Sequence, residues 1–239
     1  MSKKIIGVII AVVIILSAII GVGMLASKDG LNNSSNKNSK SLGTSLSKDE
    51  NTKKEESTNK NTESSKKILI VYFSKSGENH NVGNVEVGNT EIMAGYIKDY
   101  FGEKSDTFKI EPVNPYPSDY KKTTELANEE LKSNARPEFK NASDLNLDDY
   151  DTIFIGYPIW WGEVPMIINS FLEKYDFSNK KIIPFNTHEG SGNAGTYTRI
   201  KSKMTSSDVN TNGLAIQGKT ARQESSRSTV EKWLKELGY

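Results

Sequence analysis

Three nearly continuous apolar runs limit what this chain can fold into. They are KILIVYF (67–73), DTIFIGY (151–157) and KKIIPFNT (180–187). A strand with one solvated face alternates apolar and polar residues, whereas a strand buried on both faces does not alternate. The runs therefore predict strands at the centre of a parallel sheet. Pro184 is unusual within such a strand, because proline donates no ladder hydrogen bond.

Helical patterns separate these runs, and two weaker strands complete the series. Strands are predicted at 107–111 and 213–216. Helices are predicted from Asn89 to about 101, and over 119–133, 164–174, 195–204 and 226–237. Strands that alternate with helices of this length form right-handed βαβ units. The sequence therefore predicts an α/β domain over residues 67–239, with helices on both faces of a parallel sheet.

Two different segments precede this domain. Residues 5–26 contain no charge, and such a run is long enough to cross a hydrocarbon core of about 30 Å as a helix. Lys3 and Lys4 precede it, which favours an N-terminus on the cytoplasmic side of the membrane and a C-terminal domain on the outer side. The alternatives are a buried core helix and a cleaved signal peptide, whose apolar core is usually only about 7–15 residues long. We predict a transmembrane anchor at 1–26 and a disordered linker rich in Ser, Asn and Lys at 27–66.

Composition excludes several classes of site. The chain has no cysteine, which excludes disulfides, thiolate catalysis and cysteine-ligated metals. Two histidines, His80 and His188, are few for a zinc site, and we predict no metal. The formal net charge is +1, without the concentrated basic face of a nucleic-acid-binding protein.

The loop after the first run has the composition of an anion site. Ligands of open parallel sheets bind at the carboxyl ends of the strands. Here the hydroxyl-rich turn Ser74-Lys75-Ser76-Gly77 is followed, after a longer segment, by Gly88-Asn89-Thr90 at a predicted helix start. Hydroxyls and free helix N–H groups suit a phosphate monoester. The alternative is that Asn89 or Thr90 only caps the helix.

The loops after the other two runs suit a planar ligand. Tyr157-Pro158-Ile159-Trp160-Trp161-Gly162 places two tryptophans beside a strand end, where aromatic faces can contact such a ligand. The alternative is that the tryptophans belong to the core. The segment 186–196 is rich in glycine, so its backbone can approach a ligand closely. His188 is either a proton donor there or an ordinary surface histidine.

Three motifs in this order, KILIVYFSKSGE…GNTEIMAGYI, IFIGYPIWWGEVP and PFNTHEGSGNAGT, resemble the flavodoxin-like family of FMN-binding proteins. Flavodoxin is itself a known example of ligand binding at the carboxyl edge of such a sheet. The resemblance implies a three-layer fold with a five-stranded parallel sheet in the order 2-1-3-4-5, and FMN at its carboxyl edge. This chain departs from the family pattern at one place. Glu78–Gly88 separates the hydroxyl-rich turn from Asn89, whereas in the family that turn runs directly into Asn-Thr and the helix.

The resemblance also implies a set of FMN-binding residues. Phosphate contacts are implied for Ser74, Ser76, Gly77, Asn89 and Thr90. Ring contacts are implied for Pro158, Ile159, Trp160, Trp161 and Gly162 on one side, and for Thr187, His188, Glu189, Gly190, Ser191 and Gly192 on the other. No side chain is assigned a catalytic acid or base role, because the flavin itself carries the chemistry.

The predicted function is electron transfer through bound FMN, by a protein held at the cell membrane with its domain outside. The donor and acceptor are unassigned, and a protein or a quinone is expected. Two alternatives stay open. One is a flavodoxin-fold binding module without redox activity. The other is an NAD(P)H-dependent reductase of quinones or small oxidants, although no nicotinamide site is visible in the sequence.

Overall fold

The computed structural model describes residues 67–239, and the predicted anchor and linker lie outside them. The strands are β1 Lys67–Tyr72, β2 Gly77–Asn79, β3 Gly83–Val85, β4 Ser105–Lys109, β5 Tyr150–Pro158, β6 Lys181–His188, β7 Asp208–Val209 and β8 Leu214–Gln217. The helices are α1 Asn89–Phe101, α2 Tyr120–Ser133, α3 Met166–Lys174, α4 Thr196–Lys203, α5 Gly218–Ala221 and α6 Ser225–Glu236. Among these residues, no helix is long and apolar enough to span a membrane.

The main sheet is parallel and confirms the α/β prediction. Its order is β4-β1-β5-β6, with β7 and β8 both pairing with β6. Counted among the five predicted strands, β4, β1, β5 and β6 are the second, first, third and fourth. The first four positions therefore follow the expected order 2-1-3-4. The fifth position differs from the prediction of a single strand, because two short strands share it and the sheet has six strands.

The interrupted fifth position explains the proline in β6. Strand β7 pairs with Lys181 and Ile182, and β8 pairs with Phe185 to His188. Pro184 therefore lies beside the gap between β7 and β8. A residue at such a gap needs no N–H donor on that side, so the proline costs no ladder hydrogen bond.

Both faces of the sheet are covered, as the apolar runs predict. Along β1, Leu69 and Val71 belong to one apolar cluster and Ile70 to the other. The first cluster contains residues of α3 and α4, and the second contains residues of α1, α5 and α6. The result is three layers, helix on sheet on helix. In contrast, α2 buries only Thr123 and Ala127.

Two local features were not predicted. The segment after β1 contains an antiparallel hairpin of β2 and β3, which pair with each other apart from the main sheet. Strand β4 begins at Ser105 rather than 107, because a short 3-10 turn at Gly102–Lys104 ends immediately before it. Gly102 follows α1 with φ 55°, and this left-handed backbone lets the chain turn into β4 so early.

Candidate functional site

A cavity of about 410 Å³ lies at the carboxyl ends of β1, β5 and β6. Its volume is within the range of about 300–1,000 Å³ that small-molecule sites occupy. Most of the predicted site residues line it: Ser74, Asn89, Thr90, Pro158, Ile159, Trp160, Trp161, Gly162, Thr187, His188, Glu189 and Ser191. Ser76, Gly77, Gly190 and Gly192 do not line it.

The start of α1 forms one end of the cavity. Gly88 is the N-cap residue and makes no side-chain cap, so neither Asn89 nor Thr90 caps the helix. The Glu91 N–H donates to Ser74 Oγ (3.1 Å), which ties the first loop to the helix. Helix geometry gives the first N–H groups no acceptor within the helix. Those of Asn89 and Thr90 therefore remain for an anion at this end.

A pair of hydroxyls joins the start of α1 to the end of β6. Thr90 Oγ1 and Thr187 Oγ1 are 2.8 Å apart and buried. Thr90 belongs to the first turn of α1, and Thr187 to the end of β6. This contact fixes the helix start against the neighbouring strand end.

The tryptophan loop is a tight two-residue turn. Trp160 and Glu163 exchange both backbone hydrogen bonds, at 3.0 and 2.9 Å. The central residues Trp161 and Gly162 have φ of 54° and 75°. Positive φ at both central positions defines a type I′ turn, which favours Asn-Gly. A bulky residue such as Trp161 in left-handed backbone is strained by about 1–3 kcal/mol.

The two tryptophans have different environments. The Trp160 ring packs edge-on against Phe73 (5.3 Å between centroids) and Tyr116 (5.0 Å), so it extends the apolar core to the cavity wall. Trp161 is 58% exposed, and its Nε1–H donates to the Thr124 carbonyl of α2 at 2.9 Å. Trp160 therefore packs against the core and also lines the cavity, whereas the core alternative is wrong for Trp161.

Arg199 holds the tryptophan loop against the glycine-rich loop. Its guanidinium donates to the Glu163 carboxylate (2.9 Å) and to the carbonyls of Gly162 (2.7 Å) and Ala194 (2.9 Å). Below this contact, the buried Asn186 donates to the Gly192 carbonyl at 3.1 Å. Two loops that come from different strands are thus fixed relative to each other.

Several lining residues were missed by the sequence reasoning. They come from the hydroxyl-rich turn, from the segment 78–88 inserted after it and from α2: Lys75, Glu78, Asn79, His80, Tyr120, Thr123, Thr124 and Ala127. The available signal was in α2, since a helix that covers a sheet normally presents large apolar residues to it. This helix buries only threonine and alanine, which leaves space beneath it.

Lys75 reinforces this side of the cavity. Its ammonium donates to the carbonyls of Ser76 (3.0 Å), Glu78 (3.1 Å) and Ser118 (3.2 Å). Burial lowers the pKa of Lys75, and the nearby carboxylates of Glu78 and Asp119 oppose that shift. The lysine thereby joins the first loop, the inserted hairpin and the chain that leads into α2.

Comparison with known proteins agrees with this architecture. The family model for flavodoxin matches residues 67–237. The chain belongs to the flavodoxin family. No curated protein sequence matches it.

Two crystal structures are similar to this flavodoxin-family chain. One is a candidate flavoprotein from Bacteroides eggerthii, with 27% identity and a TM-score of 0.56, covering 73% of this chain and 99% of that one. The other is a candidate flavoprotein from Bacteroides uniformis, with 27% identity and a TM-score of 0.55, covering 71% of this chain and 98% of that one.

In this flavodoxin-family chain, His188 is expected to titrate below its ordinary pKa near 6.5. Burial lowers its pKa, and the neighbouring Glu189 opposes the shift. The Gly190 N–H donates to Nδ1 (3.0 Å), so the neutral ring carries its proton on Nε2. A lowered pKa in the folded state gives stability that is present above about pH 6.5 and lost as the pH falls.

NMR titration of the imidazole protons checks this prediction, and a His188→Gln variant identifies the resonance. A midpoint at or above 6.5 would contradict it.

Proposed function

We propose that this protein binds FMN in the cavity and transfers electrons through it. The observation that carries the proposal is Trp161, an exposed aromatic ring in strained backbone at the cavity wall. Exposing an indole and forcing left-handed backbone both oppose folding. Such costs concentrate at ligand sites, where the ligand makes use of the geometry. A planar ring that stacks on Trp161 accounts for both.

The α1 end of the cavity fits a phosphate group. The Ser74 hydroxyl, the Thr90 hydroxyl and the first N–H groups of α1 supply hydrogen-bonding groups at one place, and the helix dipole adds partial positive charge. Gly88 permits this arrangement, since a Cβ there would lie 2.3 Å from Ser74 Oγ. We propose that Ser74, Asn89 and Thr90 hold the phosphate.

The other end fits the flavin ring. It lies between the tryptophan turn and the segment His188–Ser191, which Arg199 and Asn186 hold in place. Space is open beside Gly162, because a Cβ there would meet no atom within 4 Å. The Gly162 carbonyl accepts from Arg199, which leaves the N–H for a ligand. Polar backbone at this position can hydrogen-bond the edge of the ring. Bound FMN supplies hydride and one-electron chemistry, and the chain binds, orients and tunes it.

The test is a visible spectrum of the full-length chain, recorded before and after addition of FMN. A flavin band that stays with the protein through gel filtration is the expected result. A colourless protein that does not take up FMN would contradict the proposal and favour a binding module without redox activity. If FMN binds, oxidation of NADH or NADPH with a quinone acceptor then separates a reductase from an electron carrier.

We also propose that residues 5–26 anchor the protein in the cell membrane with the domain outside. The support is the uncharged length of the segment and the two lysines that precede it. NAD(P)H is scarce outside the cytoplasm, which favours a protein or membrane quinone as the electron partner.

The topology prediction is tested by reporters fused after Tyr239. Alkaline phosphatase, which needs an oxidising compartment, is expected to be active, and a cytoplasm-dependent fluorescent reporter is expected to be dark. The opposite pattern would reverse the predicted topology. A fusion that lacks residues 5–26 is the control, and it is expected in the soluble fraction instead of the membrane fraction.

A further inference from the structure

The short segment that follows β8 contacts the first loop of the site. Arg222 follows the one-turn helix α5, and its Nη1 donates to the Val87 carbonyl (2.9 Å) and to Asn89 Oδ1 (3.1 Å). These acceptors lie more than 130 residues away in sequence. Sequence reasoning did not single out this arginine.

The two acceptors flank Gly88, the N-cap residue of α1. Gly88 itself lies against the loop that follows β1, where a Cβ would be 2.3 Å from Ser74 Oγ and 2.5 Å from the Lys75 carbonyl. Gly88 is thus in contact with that loop, and Arg222 binds the residues before and after it. Arg222 therefore fixes the backbone at which the inserted segment ends and the helix begins.

The segment that follows β8 also contacts Glu189, in the loop that follows β6. A Cβ on Gly218 would lie 2.4 Å from Asn89 Nδ2 and 2.4 Å from Glu189 Oε1, so the backbone here touches both side chains. Gln217 Nε2 donates to Glu189 Oε2 at 3.4 Å. The segment thus contacts residues assigned to the two ends of the cavity.

The hydrogen bonds of Arg222 go to neutral groups, a backbone carbonyl and a side-chain amide. Within residues 67–239 the ion pairs use other cations. A guanidinium without a contacting carboxylate, beside the positive end of a helix, favours an anion nearby.

We propose that Arg222 is a positioning residue that makes the site prefer a flavin with a terminal phosphate over the same flavin without one. The inference rests on the proposed function, since it requires a flavin in the cavity. Arg222 orders the backbone N–H groups at the start of α1 and adds positive charge behind them. Riboflavin has the same ring and ribityl chain but no phosphate, so it gains from neither effect.

The experiment measures dissociation constants for FMN and riboflavin, from quenching of flavin fluorescence, in the full-length chain and its variants. Arg222→Gln is expected to weaken FMN binding about tenfold and riboflavin binding by less than about twofold. The salt dependence of FMN binding is expected to decrease in the same variant. Arg222→Lys keeps the charge and is expected to retain more of the preference for FMN.

Arg227→Gln is the matched control. It also removes one positive charge, but Arg227 donates to Asp99 on the surface (2.7 Å) and not to Val87 or Asn89. It is expected to leave both constants unchanged. Thermal unfolding of each variant reports folding, and Arg222→Lys decides the question if Arg222→Gln does not fold.

Equal losses of FMN and riboflavin affinity in the Arg222 variants would overturn the inference, since a merely structural role affects both ligands. An effect of Arg227→Gln as large as that of Arg222→Gln would also overturn it. A wild-type chain that binds neither flavin would instead overturn the proposed function, and this inference with it.

Discussion

Trp161→Asn is expected to weaken FMN binding by about 2 kcal/mol, or roughly thirtyfold, without lowering the stability of the folded chain. Stacking of a planar heterocycle on an aromatic side chain contributes about 1–3 kcal/mol, and asparagine has no ring. Asparagine also adopts left-handed backbone readily, so it relieves strain of about 1 kcal/mol at the observed φ of 54°. That gain offsets the loss of the exposed hydrogen bond to Thr124.

Trp161→Phe is the matched control for this experiment. Phenylalanine keeps an aromatic face and the backbone strain but cannot donate to the Thr124 carbonyl. It is expected to retain most of the FMN affinity and to be less stable than Trp161→Asn by about 1 kcal/mol. Fluorescence titration gives the affinities, and urea unfolding of the flavin-free chains gives the stabilities. Equal FMN affinity in Trp161→Asn and the wild type would show that no ring stacks there.

The main sheet could be predicted because burial on both faces leaves a direct trace in sequence. Ile153, Phe154 and Ile155 are consecutive in β5 and fully buried, on alternating sides of the sheet. A solvent-exposed loop does not need three consecutive apolar residues, so such a run indicates a strand at the centre of the sheet. The fifth strand left a weaker trace, because its position is divided between β7 and β8 and neither is longer than four residues.

The site could be predicted only where it follows strand ends. Ser74, Trp161 and His188 were found because each lies in a loop after an apolar run. The contribution of α2 left only a weak trace, the small residues on its buried face. Arg222 left none, because its contacts join residues more than 130 positions apart. The hairpin was missed for another reason: GEN and GNV contain one β-branched residue between them, so they carry almost no strand signal.

Deletion of Glu78–Val87, which joins Gly77 directly to Gly88, is expected to weaken FMN binding by about 2 kcal/mol, or roughly thirtyfold. The hairpin walls the cavity with Glu78, Asn79 and His80, and it also fixes the start of α2. The Glu78 N–H donates to the Ser118 carbonyl at 2.8 Å, and the Tyr120 N–H donates to the Glu78 carboxylate at 3.0 Å. Without these contacts the wall opens and α2 loses its support beside Trp161.

The deletion is expected to fold, because neither apolar cluster contains a residue of the hairpin. Closing the chain also spans little space, since Gly88 lies against Lys75, two residues before the new junction at Gly77. The release of α2 predicts faster hydrogen exchange over 118–124 in the deletion variant.

The double variant Asn79→Ala, His80→Ala tests the wall's side chains apart from the support of α2. It keeps the contacts of Glu78 and removes the bonds from Asn79 Nδ2 to the carbonyls of Lys75 (3.2 Å) and Gly77 (3.0 Å). His80 stacks on Tyr120 at 5.4 Å, so a loss equal to that of the deletion would assign the effect to these side chains. A smaller loss would assign it to the backbone of the segment, which supports α2 and supplies the Val87 carbonyl that accepts from Arg222. Unchanged FMN affinity in the deletion variant would instead show that the hairpin is an insertion beside the site and not a part of it.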